Sequence, residues 1–204
     1  MRLTNKIVPC ILSKNFKIKG TIILKLSVRE LVLAGLFVAL ITVGTFIRIP
    51  IGADFYTLQF LFTLLAGLVL GERLGALAVG AYVLLGLLGV PVFAAGGGLG
   101  YLFKPTFGYL VGFIIQAWFC GKFSRTSANV NFKNILAVNL IGMLIVYAIG
   151  MSWLYIVSNY VIDAPLTLYV LFIDSFVLQV VPDGVLCVMA AIVALRLRKA
   201  GLWL

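Results

Sequence analysis

Six apolar segments constrain this chain more than any other feature, because together they carry too much apolar surface for one soluble core. Of its 204 residues, 63% are hydrophobic and 11% are charged. Several segments approach the roughly 20 apolar residues that a bilayer-spanning helix needs. The sequence therefore predicts an all-α integral membrane protein with six transmembrane helices. The predicted spans are Val28–Ile47, Thr57–Leu70, Leu74–Leu88, Pro105–Gly121, Ile135–Tyr160 and Leu168–Leu195, the last with a potential break at Pro182.

The second and third spans are short for a membrane. At 1.5 Å per residue they reach only about 21 to 22 Å, against a hydrocarbon core of about 30 Å. We expect either a tightly packed pair under locally thinned lipid or a pair that extends into loops that fold back. Between them, Gly71 and Gly75 are expected to adopt the left-handed conformations of a tight turn.

The distribution of basic residues predicts the orientation. With the N-terminus inside, all sixteen basic residues except Arg48 and Lys104 fall on the inner side. The positive-inside rule then predicts that both termini are cytoplasmic. A net charge of +10 is accounted for by cationic ends lying against anionic lipid headgroups, so no nucleic-acid partner is expected.

The first 26 residues differ from the rest of the chain. They begin with MRLTNKIVPCIL, which has a basic start and a short apolar patch but no small-residue cleavage site. We therefore expect a basic cytoplasmic tail over residues 1–26, followed by one transmembrane substrate-binding domain over residues 27–204.

The residue inventory excludes several common chemistries. No histidine is present, which removes the usual general base and the usual metal ligand. The cysteines Cys10, Cys120 and Cys187 are isolated and show no ligand spacing. The stretch GGGLGYLFKPT lacks the spacing of a phosphate-binding P-loop. We expect no enzyme activity, no metal and no cofactor, and we interpret the glycine-rich stretch as an outer loop over a pocket.

The outer half of the chain contains four ordered motifs, Thr57-Leu58-Gln59, Gly89-Val90-Pro91-Val92-Phe93, Gly96-Gly97-Gly98 and Pro105–Phe113. Together they resemble the motifs of the BioY family, the biotin-binding S components of energy-coupling factor (ECF) transporters. The resemblance covers roughly Val28 to Leu195. It implies a six-helix S-component bundle with a glycine-rich outer loop, in the plasma membrane of a prokaryote. It also implies docking to a transmembrane coupling protein and two ATPase subunits, which use the ATP.

Three positions depart from the family pattern. Phe107 stands where the family has glycine, and Pro182-Asp183-Gly184 is followed by Cys187 where a lysine is expected. Lys104 stands where relatives usually have glycine. The ligand is therefore expected to be biotin or a related small carboxylic acid, such as desthiobiotin or lipoate.

A pocket for biotin needs an apolar trough, amide-type hydrogen bonds and one cation. We expect Asp183 to accept the ureido N–H groups and Lys104 to bind the carboxylate, whereas Lys104 could instead extend to lipid headgroups. The other predicted binding residues supply hydrogen bonds, ring packing or close backbone approach: Thr57, Gln59, Thr106, Tyr82, Phe93, Tyr101, Tyr109, Gly97, Gly98 and Gly108. Thr106 could instead begin a helix, and Tyr109 could belong to the aromatic belt.

Small residues in the first span predict a docking surface for the coupling protein. Gly35 and Ala39 have small-xxx-small spacing, with Ala34 beside them. Packing within the bundle is the alternative.

Two other functions stay open at this point. Asp183 could serve proton coupling in a small secondary carrier for a carboxylic acid, although the glycine-rich elements have no counterpart after Asn134. A non-transporting membrane scaffold is the third possibility.

Overall fold

The computed structural model describes residues 26–51, 54–126, 130–162 and 178–201, together with positions 164, 167, 169, 172 and 173. The predicted tail therefore lies outside the described residues except for Leu26, as does most of the predicted sixth span before residue 178. Within this part of the chain there are six α-helices: α1 (Val28–Phe46), α2 (Gln59–Leu70), α3 (Glu72–Leu87), α4 (Phe107–Thr126), α5 (Phe132–Tyr160) and α6 (Leu178–Lys199).

Three of the described helices are long and apolar enough to cross a membrane, namely α1, α5 and the Gln179–Lys199 part of α6. Their outer faces expose large apolar side chains, among them Leu36, Leu144 and Val185, as expected of surfaces that face lipid. By contrast, α2 has 12 residues, or about 18 Å of helix. The chain is therefore a multi-pass helical membrane protein.

The shortest of these helices, α2, lies at the centre of the bundle. Every residue of α2 except Phe62 is buried, which is typical of a helix that is apolar all round and enclosed by neighbours. At its C-terminal end the Arg125 side chain of α4 donates to the Val69 carbonyl at 3.0 Å, satisfying one of the last helical carbonyls.

The turn between α2 and α3 is tighter than predicted. Only Gly71 separates the two helices, with a φ of 89°. The expectation of a left-handed conformation at Gly75 is wrong, because Gly75 lies inside α3 and packs against the backbone of α2. A Cβ there would stand 2.8 Å from the Ala66 carbonyl oxygen.

Helix α4 differs from the predicted span at both ends. It begins at Phe107 rather than Pro105, because Lys104 to Thr106 form turns in which the Lys104 carbonyl accepts from the Phe107 N–H at 3.1 Å. It also continues past Gly121 to Thr126. Gly121 is a close-packing position, since a Cβ there would lie 2.5 Å from the Glu72 nitrogen at the start of α3.

The connections that follow α1 and α3 meet at one end of the bundle. A two-stranded antiparallel hairpin, β1 (Arg48–Ile51) and β2 (Asp54–Thr57), joins α1 to α2; the sequence reasoning treated this stretch as a loop. The glycine-rich loop and a 3₁₀ helix (Leu99–Phe103) join α3 to α4. The Arg48 guanidinium donates to the Ala94 carbonyl and so brings the two connections together.

Candidate functional site

A cavity of about 180 Å³ opens at the end of the bundle where the hairpin and the glycine-rich loop meet. It lies between α2, α4, α5 and α6, below the loop. Its lining residues are Thr57, Gln59, Phe60, Ala94, Tyr101, Thr106, Tyr109, Leu110, Phe113, Val146, Tyr147, Gln179 and Asp183. A largely apolar cavity with a few convergent polar groups is typical of a small-molecule site.

Aromatic and aliphatic side chains form the apolar wall. The rings of Phe60 in α2 and Phe113 in α4 pack with their centroids 6.2 Å apart. Leu110 and Val146 extend this surface on α4 and α5, and all four side chains are buried. This wall can take up the carbon skeleton of a ligand without hydrogen bonds.

Polar groups from three helices meet across the cavity. Asp183 in α6 is only 4% exposed, and its Oδ2 accepts a short hydrogen bond from the Tyr147 hydroxyl in α5. Gln179 lies one turn before Asp183 on α6. Gln59, in the first turn of α2, is 6% exposed, and its Nε2 has no hydrogen-bond partner in the described part of the chain. An acceptor and a donor are thus both available to a ligand.

Behind the cavity wall lies a column of aromatic rings. Tyr101 lines the cavity, and its ring packs on Phe93 with centroids 4.4 Å apart. Phe93 in turn meets the edge of Tyr82 at 5.6 Å. A Cβ at Gly86 would stand 2.1 Å from the Phe93 ring, so the glycine makes room for this stack. Tyr82 and Phe93 therefore support the wall from behind and do not line the cavity.

Two cationic side chains lie at the rim of the cavity, where they donate hydrogen bonds to consecutive backbone carbonyls of the glycine-rich loop. Lys104 Nζ donates to the Ala95 carbonyl at 3.0 Å and lies 5.0 Å from the centre of the Tyr101 ring. Arg48 donates to the neighbouring Ala94 carbonyl, and Ala94 lines the cavity. Neither cation is among the lining residues. Both are adjacent to the mouth.

The predicted glycines and Thr106 have structural contacts of their own. Gly98 has a φ of 102° and its N–H donates to the Gly86 carbonyl at 2.7 Å. A Cβ at Gly97 would stand 2.3 Å from the Val90 carbonyl oxygen, and one at Gly108 would stand 2.2 Å from Trp153 Cβ. The hydroxyls of Thr106 and Tyr101 lie 3.4 Å apart at the cavity.

Six of the predicted binding residues thus line one cavity: Thr57, Gln59, Tyr101, Thr106, Tyr109 and Asp183. The sequence reasoning missed Tyr147 and Gln179. Both could have been found by the criterion that singled out Asp183, namely that each is a polar side chain inside an apolar span. Phe107 is buried against Trp153, with ring centroids 5.7 Å apart, and is not a lining residue.

The predicted docking residues lie on the outside of α1. Gly35 and Ala39 are exposed, and a Cβ at Gly35 would meet no atom of another described element within 4 Å. Ala34 instead packs partly against the core.

In the described residues no group of three or more cysteines, aspartates or glutamates is placed to hold a metal ion.

Comparison with known proteins gives one consistent result. The sequence model of the BioY family matches residues 16–202. The "Biotin transporter BioY" of Thermotoga maritima is 42% identical over 172 residues, covering 84% of this chain and 96% of the relative. The "Probable biotin transporter BioY" of Lysinibacillus sphaericus is 38% identical over 173 residues, covering 85% and 88% respectively.

A solved structure shows the same fold. It is the crystal structure of the S-component for biotin from an ECF-type ABC transporter, with a TM-score of 0.73 and 28% sequence identity. The match covers 84% of this chain and 92% of that chain.

Proposed function

Because this chain belongs to the BioY family, we propose that it is the substrate-specific subunit of an ECF-type transporter and that its substrate is biotin. It is a transport protein and not an enzyme. Its task is to bind the vitamin and to deliver it across the membrane together with partner subunits. The observation that carries the proposal is the buried cavity in which Asp183 and Gln59 present an acceptor and a donor to one ligand.

The polar groups of this cavity match the head of biotin. A ureido ring offers two N–H donors and one carbonyl acceptor. Asp183 accepts from the Tyr147 hydroxyl, and a carboxylate with about four lone-pair sites retains capacity for a ureido N–H. Gln59 Nε2 can donate to the ureido carbonyl. The thioether ring and the aliphatic chain then lie against Phe60, Phe113 and the other apolar lining residues.

The carboxylate of biotin belongs at the rim in this binding mode. The described lining residues include an aspartate and no lysine or arginine, so a second carboxylate near Asp183 would be repelled. Lys104 and Arg48 are both at the mouth, on the carbonyls of Ala95 and Ala94. The ligand is therefore expected to bind with its ring toward Asp183 and its carboxylate toward Lys104.

The membrane arrangement is part of the proposal. The six helices cross the plasma membrane with both termini cytoplasmic, and the glycine-rich loop and the cavity face outward. Basic residues support this orientation, because Arg196, Arg198 and Lys199 occupy the last turn of α6, at the end expected to be cytoplasmic. Biotin would then enter from outside the cell.

Delivery requires a transmembrane coupling protein and two ATPase subunits, and the ATP is hydrolysed there. The coupling protein is proposed to pack on the Gly35 and Ala39 face of α1, where no side chain of the described residues occupies the surface in front of Gly35. Gly35→Leu should abolish ATP-dependent uptake and leave biotin affinity unchanged. The matched control is Gly80→Leu on α3, where a Cβ also meets nothing within 4 Å in the part of the chain that the structure describes. Equal uptake by the two variants would contradict docking on α1.

The substrate is tested by the small molecule that copurifies with the detergent-solubilised protein, identified by mass spectrometry, and by calorimetric titration with biotin, desthiobiotin and lipoate. Biotin should copurify and bind most tightly. A preference for another acid would contradict the substrate. Uptake driven by a proton gradient in vesicles that contain this chain alone would contradict the ATPase-dependent mechanism and favour a secondary carrier.

A further inference from the structure

The hydroxyl of Tyr82 joins three separate parts of the molecule. Tyr82 lies in α3 and is completely buried. Its Oη donates to the Val92 carbonyl of the glycine-rich loop at 3.0 Å and lies 3.0 Å from Thr45 Oγ1 in α1. A carbonyl can only accept, so the tyrosine proton goes to Val92. The single proton of the Thr45 hydroxyl is then divided between Tyr82 Oη and the Ile41 carbonyl, which lies 2.9 Å from Thr45 Oγ1. One hydroxyl thereby connects α3, α1 and the loop.

A second link runs from the end of α1 to the same part of the loop. Arg48 follows α1 directly and donates to the Ala94 carbonyl. Between the two linked carbonyls lies Phe93, whose ring packs on Tyr101, and both Ala94 and Tyr101 line the cavity. The loop segment 92–94 is therefore held by α1 on one side and contacts the ligand cavity on the other.

The loop is also anchored to α3. The Gly98 N–H donates to the Gly86 carbonyl at 2.7 Å, and the Phe93 ring fills the space in front of Gly86. Any displacement of α1 relative to α3 must break the Tyr82 links or move segment 92–94. The exposed docking face, Gly35 and Ala39, lies on this same α1.

We propose that Tyr82 is a positioning residue that ties the cavity-covering loop to α1, so that a protein partner packed on the outer face of α1 controls how firmly the loop holds the ligand. This inference rests on the proposed function, because it takes biotin as the ligand and the coupling protein as the partner. It assigns Tyr82 no contact with biotin. The chemistry is a relay of two hydrogen bonds: Thr45 donates to Tyr82 in competition with the Ile41 carbonyl, and Tyr82 donates to Val92.

The first test measures the rate of biotin dissociation from the isolated protein in lipid nanodiscs. Tyr82→Phe keeps the ring and removes the hydroxyl. Loss of one neutral hydrogen bond corresponds to about 2- to 13-fold in a rate or equilibrium constant, so dissociation should be faster by that factor. Tyr160→Phe is the matched control, because Tyr160 is 76% exposed at the end of α5; its rate should equal that of the wild type.

Thr45→Val tests the α1 half of the relay with a side chain of the same shape. It should accelerate dissociation as well, and the Tyr82→Phe, Thr45→Val double variant should be no faster than Tyr82→Phe alone, because both changes break one relay. A thermal unfolding midpoint is recorded for each variant. Additive effects in the double variant would overturn the relay.

A second readout separates the relay from a merely structural role. Biotin affinity is measured for the protein alone and for its complex with the ATPase module, and the ratio of the two affinities reports the coupling between docking and ligand binding. In Tyr82→Phe this ratio should move toward one. An unchanged ratio and an unchanged dissociation rate would overturn the inference while leaving biotin binding intact. A wild-type protein that does not bind biotin would overturn the proposed function and the inference with it.

Discussion

Gln59→Met should weaken biotin binding and leave the ligand-free protein at least as stable as the wild type. Gln59 is 6% exposed in the first turn of α2, and its Nε2 lacks a hydrogen-bond partner among the described residues. A buried donor without a partner costs about 1 to 3 kcal/mol. Methionine has a similar length and no N–H group, so the substitution removes that cost while filling nearly the same volume.

The size of both effects follows from this position. If Gln59 donates to the ureido carbonyl, its removal leaves that carbonyl buried without a donor, which costs about 1 to 3 kcal/mol of binding, or about 5- to 160-fold in Kd. The free energy of unfolding should stay the same or rise. For a chain of this size, each 1 kcal/mol shifts Tm by about 2 to 4 °C.

Calorimetry with biotin and thermal unfolding without it measure the two effects in one detergent. Gln116→Met is the matched control, because Gln116 is completely buried in α4 but lies one turn away from the cavity wall, 3.3 Å from the hydroxyl of Thr63. Gln116 Nε2 also lacks a hydrogen-bond partner among the described residues, so this variant should show a similar change in stability and keep the wild-type Kd. Wild-type affinity in Gln59→Met would refute the ureido contact, and a lower Tm would show that Gln59 is a packing residue.

Three further changes test the rim, the orientation and the packing of α4. Lys104→Ala should weaken biotin binding about 10- to 150-fold and make biotin and its uncharged amide bind equally in calorimetry; a surviving preference for the acid would transfer the role to Arg48. The Leu99 side chain is 69% exposed. In a cysteine-free background, the cysteine introduced by Leu99→Cys should therefore react with a membrane-impermeant thiol reagent in intact cells. Arg73→Cys should react only after lysis, and the reverse pattern would contradict the orientation. Gly108→Ala places a Cβ 2.2 Å from Trp153 Cβ, and this overpacking, about 1 to 3 kcal/mol, should lower Tm; an unchanged midpoint would show that α4 and α5 are not in such close contact.

The helices could be predicted because burial in lipid requires long apolar segments. The span predicted at Val28–Ile47 is observed as Val28–Phe46, and α5 begins three residues before the predicted Ile135. Errors arose where a glycine was interpreted as a chain break. Gly121 and Gly75 both lie inside helices, where they allow the backbones of neighbouring helices to approach. A glycine's role depends on its neighbours across the bundle, which a single sequence does not display.

The candidate site was predictable to the extent that a polar group inside an apolar span is costly without a role. That reasoning singled out Gln59 and Asp183, and both line the cavity. The same criterion applies to Gln179 and Tyr147, which were overlooked. Tyr82 was predicted to contact the ligand, but it lies behind the wall, because the fold places Phe93 and Tyr101 between its ring and the cavity.

The positions of α6 that differ from the family pattern have a structural explanation, and it bears on the ligand. Cys187 stands where the family resemblance predicts a lysine, and its side chain is completely buried. Its backbone carbonyl accepts a hydrogen bond from Asn139 Nδ2 at 3.0 Å, in the contact between α5 and α6. A lysine side chain at this position would have to fit into that buried contact in place of a much smaller thiol. Asp183, one turn earlier, is directed into the cavity and bonded to Tyr147. With an acceptor inside and the cations Arg48 and Lys104 at the rim, the charge distribution favours ligands whose N–H groups and carboxylate lie at opposite ends, and biotin has this arrangement.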